Sequence, residues 1–248
     1  MKKRWFDFSS VGLSLCHEQN GSIDVNMSFL ISSRETAIAD LRAAVDLVAK
    51  SSKQKASEIG SLIRLFDGKS LDVPLPFPFP CNLVPMESPD FRLQYPELSV
   101  GLEVTLFLAE QRARALAISS KMKSGLFLTP YNFNSPKRTN EDITKKIDEG
   151  PSCGLTDWVK TSSECDLYAQ EMLNLITEKV KKVIIPKTEI FDEYWLVIDD
   201  RMILADLHVD QILPIIRTAL SQVSGPMFDR IFFIFMDQVA WLTKIPSV

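Results

Sequence analysis

The chain has few of the residues that build several common kinds of site. Its two histidines, His17 and His208, stand in unrelated contexts, and its four cysteines (Cys16, Cys81, Cys153, Cys165) form no Cys-x-x-Cys pair. That argues against a tetrahedral zinc centre, and no histidine stands in a recognisable companion motif for a cysteine nucleophile. Nine glycines supply neither a Walker loop nor a Gly-x-Gly-x-x-Gly turn, and no Gly-x-Ser-x-Gly elbow occurs. Backbone phosphate cradles and a serine-hydrolase elbow therefore find no support. Long apolar runs are missing too. The longest uncharged stretch, Val73 to Met86, contains five prolines, and nothing reaches the ~18 apolar residues of a membrane span. The opening Met1-Lys-Lys-Arg-Trp-Phe is basic, but Asp7 interrupts it before any apolar run, so no signal peptide is expected. A reduced, cytoplasmic protein with no membrane partner is the simplest expectation.

What remains is ordinary for a globular protein: 248 residues, 46% hydrophobic and 24% charged. A chain of this length can bury a substantial core, as one domain with insertions or as two small domains. The net charge of −4 argues against a protein that coats nucleic acid, but its distribution is uneven. Residues 112–187 hold 13 Lys and Arg against nine Asp and Glu, which allows a local positive surface on an acidic molecule. Such charges more often only solvate helix faces.

In chain order, residues 1–31 read as β-rich, with apolar runs at 11–16 and 23–31 flanking the turn dipeptide Asn20-Gly21. Ser32-Ser33-Arg34-Glu35 reads as a capping box for a helix with Ile38, Leu41, Val45 and Val48 on its buried stripe. After a break near Ser51-Ser52, a second helix is expected from Lys53 to Phe66. Its apolar face is Ile59, Leu62, Ile63 and Phe66, and Asp67-Gly68 ends it. The proline-rich 71–85 must be extended, and Leu75, Phe77 and Phe79 favour a strap laid over the core above a recognition strip. Beyond residue 107 the pattern gives a helix at 109–122, a short strand at 126–128 and a long polar insertion over 129–162 with one short helix at 141–147. A helix at 164–182, a strand at 193–199, a helix at 209–223 containing Pro214, a strand at 229–235 and a last short strand at 239–242 follow. This alternation indicates an α/β fold with parallel neighbours.

The centre of the pattern is Glu87-Ser-Pro89-Asp90-Phe-Arg-Leu93 and Ser99-Val-Gly-Leu-Glu103-Val-Thr-Leu-Phe107. The two segments read as strands joined by a turn around Tyr95-Pro96-Glu97. Period-2 alternation puts Glu103 and Thr105 on one face and Leu102, Val104 and Leu106 on the other. A carboxylate in the middle of an apolar strand is costly to bury unless something compensates it, and a divalent cation is one such partner.

Pro89-Asp90 followed at hairpin distance by Glu103-Val104-Thr105 resembles the PD-(D/E)XK nuclease superfamily, in the variant with Pro-Asp-Phe and then Gly-(Leu/Ile)-Glu-Val-Thr. The resemblance covers 87–107 in motif and about 53–235 in layout. It implies a restriction-endonuclease-like core, a mixed β-sheet flanked by helices, over 53–248. An N-terminal β-rich and helical extension would occupy 1–52, and an insertion about 124–163. It also implies that Asp90, Glu103 and the Val104 carbonyl hold Mg²⁺ or Mn²⁺, with Glu58 in second-shell or direct contact and Glu87 a weaker candidate. Thr105 departs from the pattern, because it stands where the superfamily has its catalytic lysine. Lys179 or Arg112 is then expected to reach in from another element, Lys179 first. The implied activity is hydrolysis of DNA phosphodiesters. The competing expectation is a catalytically degenerate module on the same scaffold that binds a protein partner, immunity-like or regulatory, its acidity suiting a basic partner.

Overall fold

The computed structural model describes residues 4–8, 13–17, 23–50, 52–71, 74–107, 139–141, 144–145, 162–184, 190–201, 209–222 and 225–243. Two compact units are present. The first comprises Met1–Thr105, Glu178–Asp199 and Ser224–Val248, and the second Leu106–Thr177 and Asp200–Val223.

The N-terminal part yields β1 (Arg4–Phe8), β2 (Leu13–His17), β3 (Ile23–Met27) and β4 (Phe29–Ile31). β2 and β3 pair antiparallel with His17 opposite Ile23, the hairpin expected here; the Asn20-Gly21 turn itself lies outside the described residues. β1 adds a third antiparallel strand. The expected extension over 1–52 is thereby divided. β1–β3 form their own sheet, while β4 joins the edge of the large sheet by pairing with β6 (Cys81–Pro85).

Helix α1 (Arg34–Ala49) is capped by Ser33, not Ser32. The Ser33 side chain accepts from the Thr36 backbone N–H, and the Thr36 hydroxyl accepts from the Ser33 N–H. A hydroxyl at the third helical position completes the box as a Glu would, which moves the cap by one residue. Its buried face is Ala37, Leu41, Ala44 and Val48, with Ile38 and Val45 partly buried beside it. Helix α2 (Lys53–Asp67) starts at the Ser52 cap and buries Ile59, Leu62, Leu65 and Phe66 completely or nearly so. It ends where the Gly68 N–H donates to the Arg64 carbonyl at 2.9 Å.

The large sheet is mixed, eight strands in the order β4-β6-β7-β8-β9-β10-β11-β5, with β5 at Lys69–Ser70, β7 at Phe91–Gln94, β8 at Ser99–Phe107, β9 at Glu193–Asp200, β10 at Arg230–Phe235 and β11 at Gln238–Thr243. β6, β7 and β8 form an antiparallel meander. Asp192 N–H donates to the Ser99 carbonyl at one end of β8 and Arg201 N–H to the Phe107 carbonyl at the other, so β9 runs parallel to β8. Asp229 N–H meets the Tyr194 carbonyl where β9 and β10 both begin, which makes that pair parallel too. Among the described residues, α2 and the short β5 are followed by the three-strand meander, then helix α3 (Ser162–Lys179), the parallel strand β9 and helix α4 (Val209–Ser221).

The core of the first unit joins α1 and α2 to Phe29, Leu83, Phe91, Leu93, Leu102, Val104, Trp195, Phe232 and Ile234 on the sheet. Phe77 is inserted among Phe66, Trp195 and Phe232 with ring centroids 5.1–5.3 Å apart, and Leu75 and Phe79 pack against the same core. The proline-rich segment is therefore a strap over the core, as its alternation predicts. Its last five residues, however, are not merely extended but form the strand β6. Pro85 sits at the strand end, where a missing N–H is tolerated.

In the second unit, Tyr168 is fully buried and its hydroxyl donates to Asp200 Oδ2 at 2.6 Å, while its ring meets Phe107 edge-on at 5.0 Å. The helix expected to run to Lys182 leaves α geometry at Lys179 and continues as a π turn over Val180–Ile184. Leu106, expected on the apolar face with Leu102 and Val104, is exposed. β8 outruns its ladder with β7 beyond Leu102 and loses that neighbour. The expected helix at 109–122, the strand at 126–128 and most of the insertion over 129–162 lie outside the described residues; residues 140–141 and 144–145 are helical.

Candidate active site

Phe91 faces Leu102 in the β7–β8 ladder, so the next antiparallel pair places Asp90 opposite Glu103. Asp90 directly precedes β7, after a cis Ser88–Pro89 peptide, and Glu103 lies in mid-strand. Both carboxylates are buried, at 7% exposure each. Asp90 Oδ2 accepts from the Val104 backbone N–H at 2.8 Å, which fixes its side chain across the gap between the strands. The 86–90 loop is closed by the Met86 N–H donating to the Asp90 carbonyl at 2.8 Å.

Gly101 explains part of the Gly-Leu-Glu-Val-Thr pattern. A Cβ there would lie 2.9 Å from Pro89 Cγ and 2.9 Å from Phe191 Cδ2. Only a glycine lets β8 come this close to the residue that precedes Asp90.

Helices bring three further charges. Glu58, on α2 and also 7% exposed, meets the Lys55 ammonium through Oε2 at 2.5 Å, and Gln54 Nε2 donates to its Oε1 at 3.0 Å. Lys55 Nζ donates to the Met86 and Asp90 carbonyls at 2.9 and 3.1 Å, stands 3.9 Å from Asp90 Oδ1 and lies over the Phe91 ring at 4.9 Å. At the end of α3, Lys179 Nζ donates to Glu103 Oε1 at 2.5 Å. Among the described residues these three buried carboxylates meet two ammonium groups, and Asp90 has the longest of the contacts, 3.9 Å to Lys55.

The electrostatics follow from that inequality. Burial pushes the Asp90 carboxyl up to about 7, with the neighbouring Glu103 charge adding to the rise and Glu58 contributing further; the Val104 N–H and Lys55 oppose it. A carboxyl held there exchanges a proton near neutral pH and gains from any added positive charge.

Of the residues singled out from sequence, Asp90, Glu103, Val104 and Glu58 lie in this one cluster, and Lys179 reaches it. Thr105 is half-buried two residues along β8 from Glu103. Glu87 lies in the loop before Asp90 and is exposed, and Arg112 lies outside the described residues. Lys55 was missed; its signal was the Lys55/Glu58 spacing of three on a helix, which places the two side chains together.

The donor set is all oxygen, the chemistry of Mg²⁺ and Mn²⁺. Among the described residues no group of three or more His, Cys, Asp or Glu side chains is arranged to hold a metal ion as it stands. The geometry gives the reason: Glu58 and Glu103 are turned to the two ammonium groups. Among the described residues no helix is long and apolar enough to cross a membrane. No family model matches the chain, and neither a curated protein nor a solved structure matches it.

Proposed function

We propose that the protein is a divalent-metal-dependent nuclease of the PD-(D/E)XK type that hydrolyses DNA phosphodiesters, with a restriction-endonuclease-like core running from α2 through β9. The observation that carries the reading is the Asp90–Glu103 pair. Two carboxylates stand opposite each other at the end of a ladder, one of them raised to about 7, and a lysine enters from α3. The order of α2, the β6–β8 meander, α3 and the parallel β9 supports the same reading.

Asp90, Glu103 and the Val104 carbonyl would hold Mg²⁺ or Mn²⁺, with Glu58 behind them. Such an ion polarises the phosphoryl oxygen and acidifies a bound water. Lys179 supplies the cation that Thr105 cannot. Its ammonium lies beside Glu103, where it neutralises charge developing on a phosphate placed in the cleft. Lys55 keeps the 86–90 loop against α2 and so keeps Asp90 in place. The Val104 N–H holds Asp90 Oδ2 and leaves Oδ1 for the cation.

The test is nicking of supercoiled plasmid with Mg²⁺ or Mn²⁺ by the wild type, Glu103→Gln and Lys179→Met. Nicking by the wild type that falls at least a hundredfold in both variants supports the reading. The competing reading, a partner-binding module, gains if the wild type leaves plasmid intact with either metal.

A further inference from the structure

The Lys55 ammonium has three N–H donors, and three oxygens lie within 3.1 Å of it: Glu58 Oε2, the Met86 carbonyl and the Asp90 carbonyl. A fourth, Asp90 Oδ1, is at 3.9 Å, and the Phe91 ring covers the cation from another side. Two carboxylates and two carbonyls around one positive charge form the kind of oxygen cage that elsewhere holds a metal ion. Lys179 is placed differently: its ammonium bonds Glu103 Oε1 from the last residue of α3.

We propose that Lys55 fills the second cation position of this site permanently, so that the cluster takes one divalent ion, at Asp90 and Glu103, and not two. This rests on the nuclease reading and deepens it. Glu58 then serves as the counter-ion of Lys55 and touches no metal. The built-in ammonium provides the charge compensation that a second ion would give, without having to be recruited from solution. The binding energy of such an ammonium is already committed to folding, because it donates to the Met86 and Asp90 carbonyls and its charge pairs with Glu58. A divalent ion at the same point would have to displace a covalently tethered competitor.

The experiment counts ions. Mn²⁺ bound per chain is measured from the loss of the free-ion electron paramagnetic resonance signal at pH 8, for the wild type, Lys55→Ala and Lys55→Arg. One ion in the wild type and in Lys55→Arg, with two in Lys55→Ala, is the expected result. Two ions in the wild type overturn the proposal while leaving the nuclease reading standing, and that outcome needs no variant to fold. One ion in a folded Lys55→Ala also overturns it, since vacating the cage then creates no site. No bound ion in the wild type removes the nuclease reading itself, and the inference with it. Should Lys55→Ala not fold, Glu58→Gln replaces it. With Glu58 on Lys55, Glu58→Gln keeps a single site whose dissociation constant moves less than tenfold. A loss of the ion altogether would make Glu58 a ligand and defeat the proposal.

Discussion

Asp90 stands opposite Glu103 at the open end of the β7–β8 ladder, one residue beyond the Phe91–Leu102 pair, with Asp90 Oδ2 held by the Val104 N–H at 2.8 Å. Two buried acids so placed repel each other when both are charged, so the pair ties the stability of the fold to pH.

The pH dependence follows from the direction of the Asp90 shift. Its carboxyl is raised to about 7 in the folded protein, chiefly by burial and then by Glu103, against about 3.9 in an unfolded chain. Between those values the folded state binds the proton and the unfolded state does not, so stability falls as pH rises from about 4 to about 7, then levels off. The full interval is an upper bound of about 4 kcal/mol. Asp90→Asn should abolish that slope and raise the thermal midpoint at pH 8, while leaving the midpoint at pH 4 nearly unchanged. Midpoints taken every half pH unit check it; parallel curves for the two proteins would refute it.

Lys179→Met should separate a stabilising role from a chemical one. It leaves Glu103 buried without its ammonium, a loss of about 2–4 kcal/mol without metal. Saturating Mn²⁺ should recover most of that loss, because the ion replaces the missing charge, yet plasmid nicking should stay at least a hundredfold down. Denaturant unfolding with and without Mn²⁺ reads the first part. A deficit that Mn²⁺ leaves untouched would mean that Lys179 and the ion do not share Glu103.

Gly101→Ala probes the close approach behind Asp90. The new methyl would meet Pro89 and Phe191 at 2.9 Å, so β8 or the Pro89 loop must shift, at about 1–3 kcal/mol. Because Pro89 precedes Asp90, Mn²⁺ affinity should fall together with stability. Unchanged affinity in a destabilised Gly101→Ala protein would show that the shift stops short of Asp90.

A control lies on the α2 helix itself, one turn beyond Glu58. Ser61 Oγ donates to the buried Asp199 Oδ2 at 2.7 Å, and Arg64 ion-pairs with Asp199 as well. Ser61→Ala should cost about 1–2 kcal/mol, since Arg64 still compensates the charge. Mn²⁺ affinity and nicking should not change. A change in either would place Asp199 within the site.

The hairpin and its two acids were legible in the sequence because their signals are local: period-2 alternation, a Pro-Asp entry and a glycine two residues before Glu103. Helix α2 was legible for the same reason, with its apolar residues at helical spacing and Asp67-Gly68 at its end. β6 was hidden because five prolines dominate 73–86, and its pairing with β4, some fifty residues earlier, has no local trace. The Ser33 cap was misplaced by one because Thr36 completes the box where Glu35 looked the better candidate. The π turn after Lys179 leaves no periodic mark, since one wider turn hardly disturbs an apolar stripe. Lys55 escaped because its partners are mainly backbone carbonyls, which any sequence carries.

The central claim is that Asp90 and Glu103 form a divalent-cation site, and a Mn²⁺ titration of the thermal midpoint at pH 8 tests it most directly. A ligand at a hundred times its dissociation constant stabilises the folded state by about 2.7 kcal/mol, or about 5 °C or more for a chain of this size. The wild type should show that rise. Glu103→Gln, which keeps the shape but removes one charge, should need at least tenfold more Mn²⁺ to reach it. A wild-type midpoint that does not move with Mn²⁺, or one that moves equally in both proteins, would contradict the account.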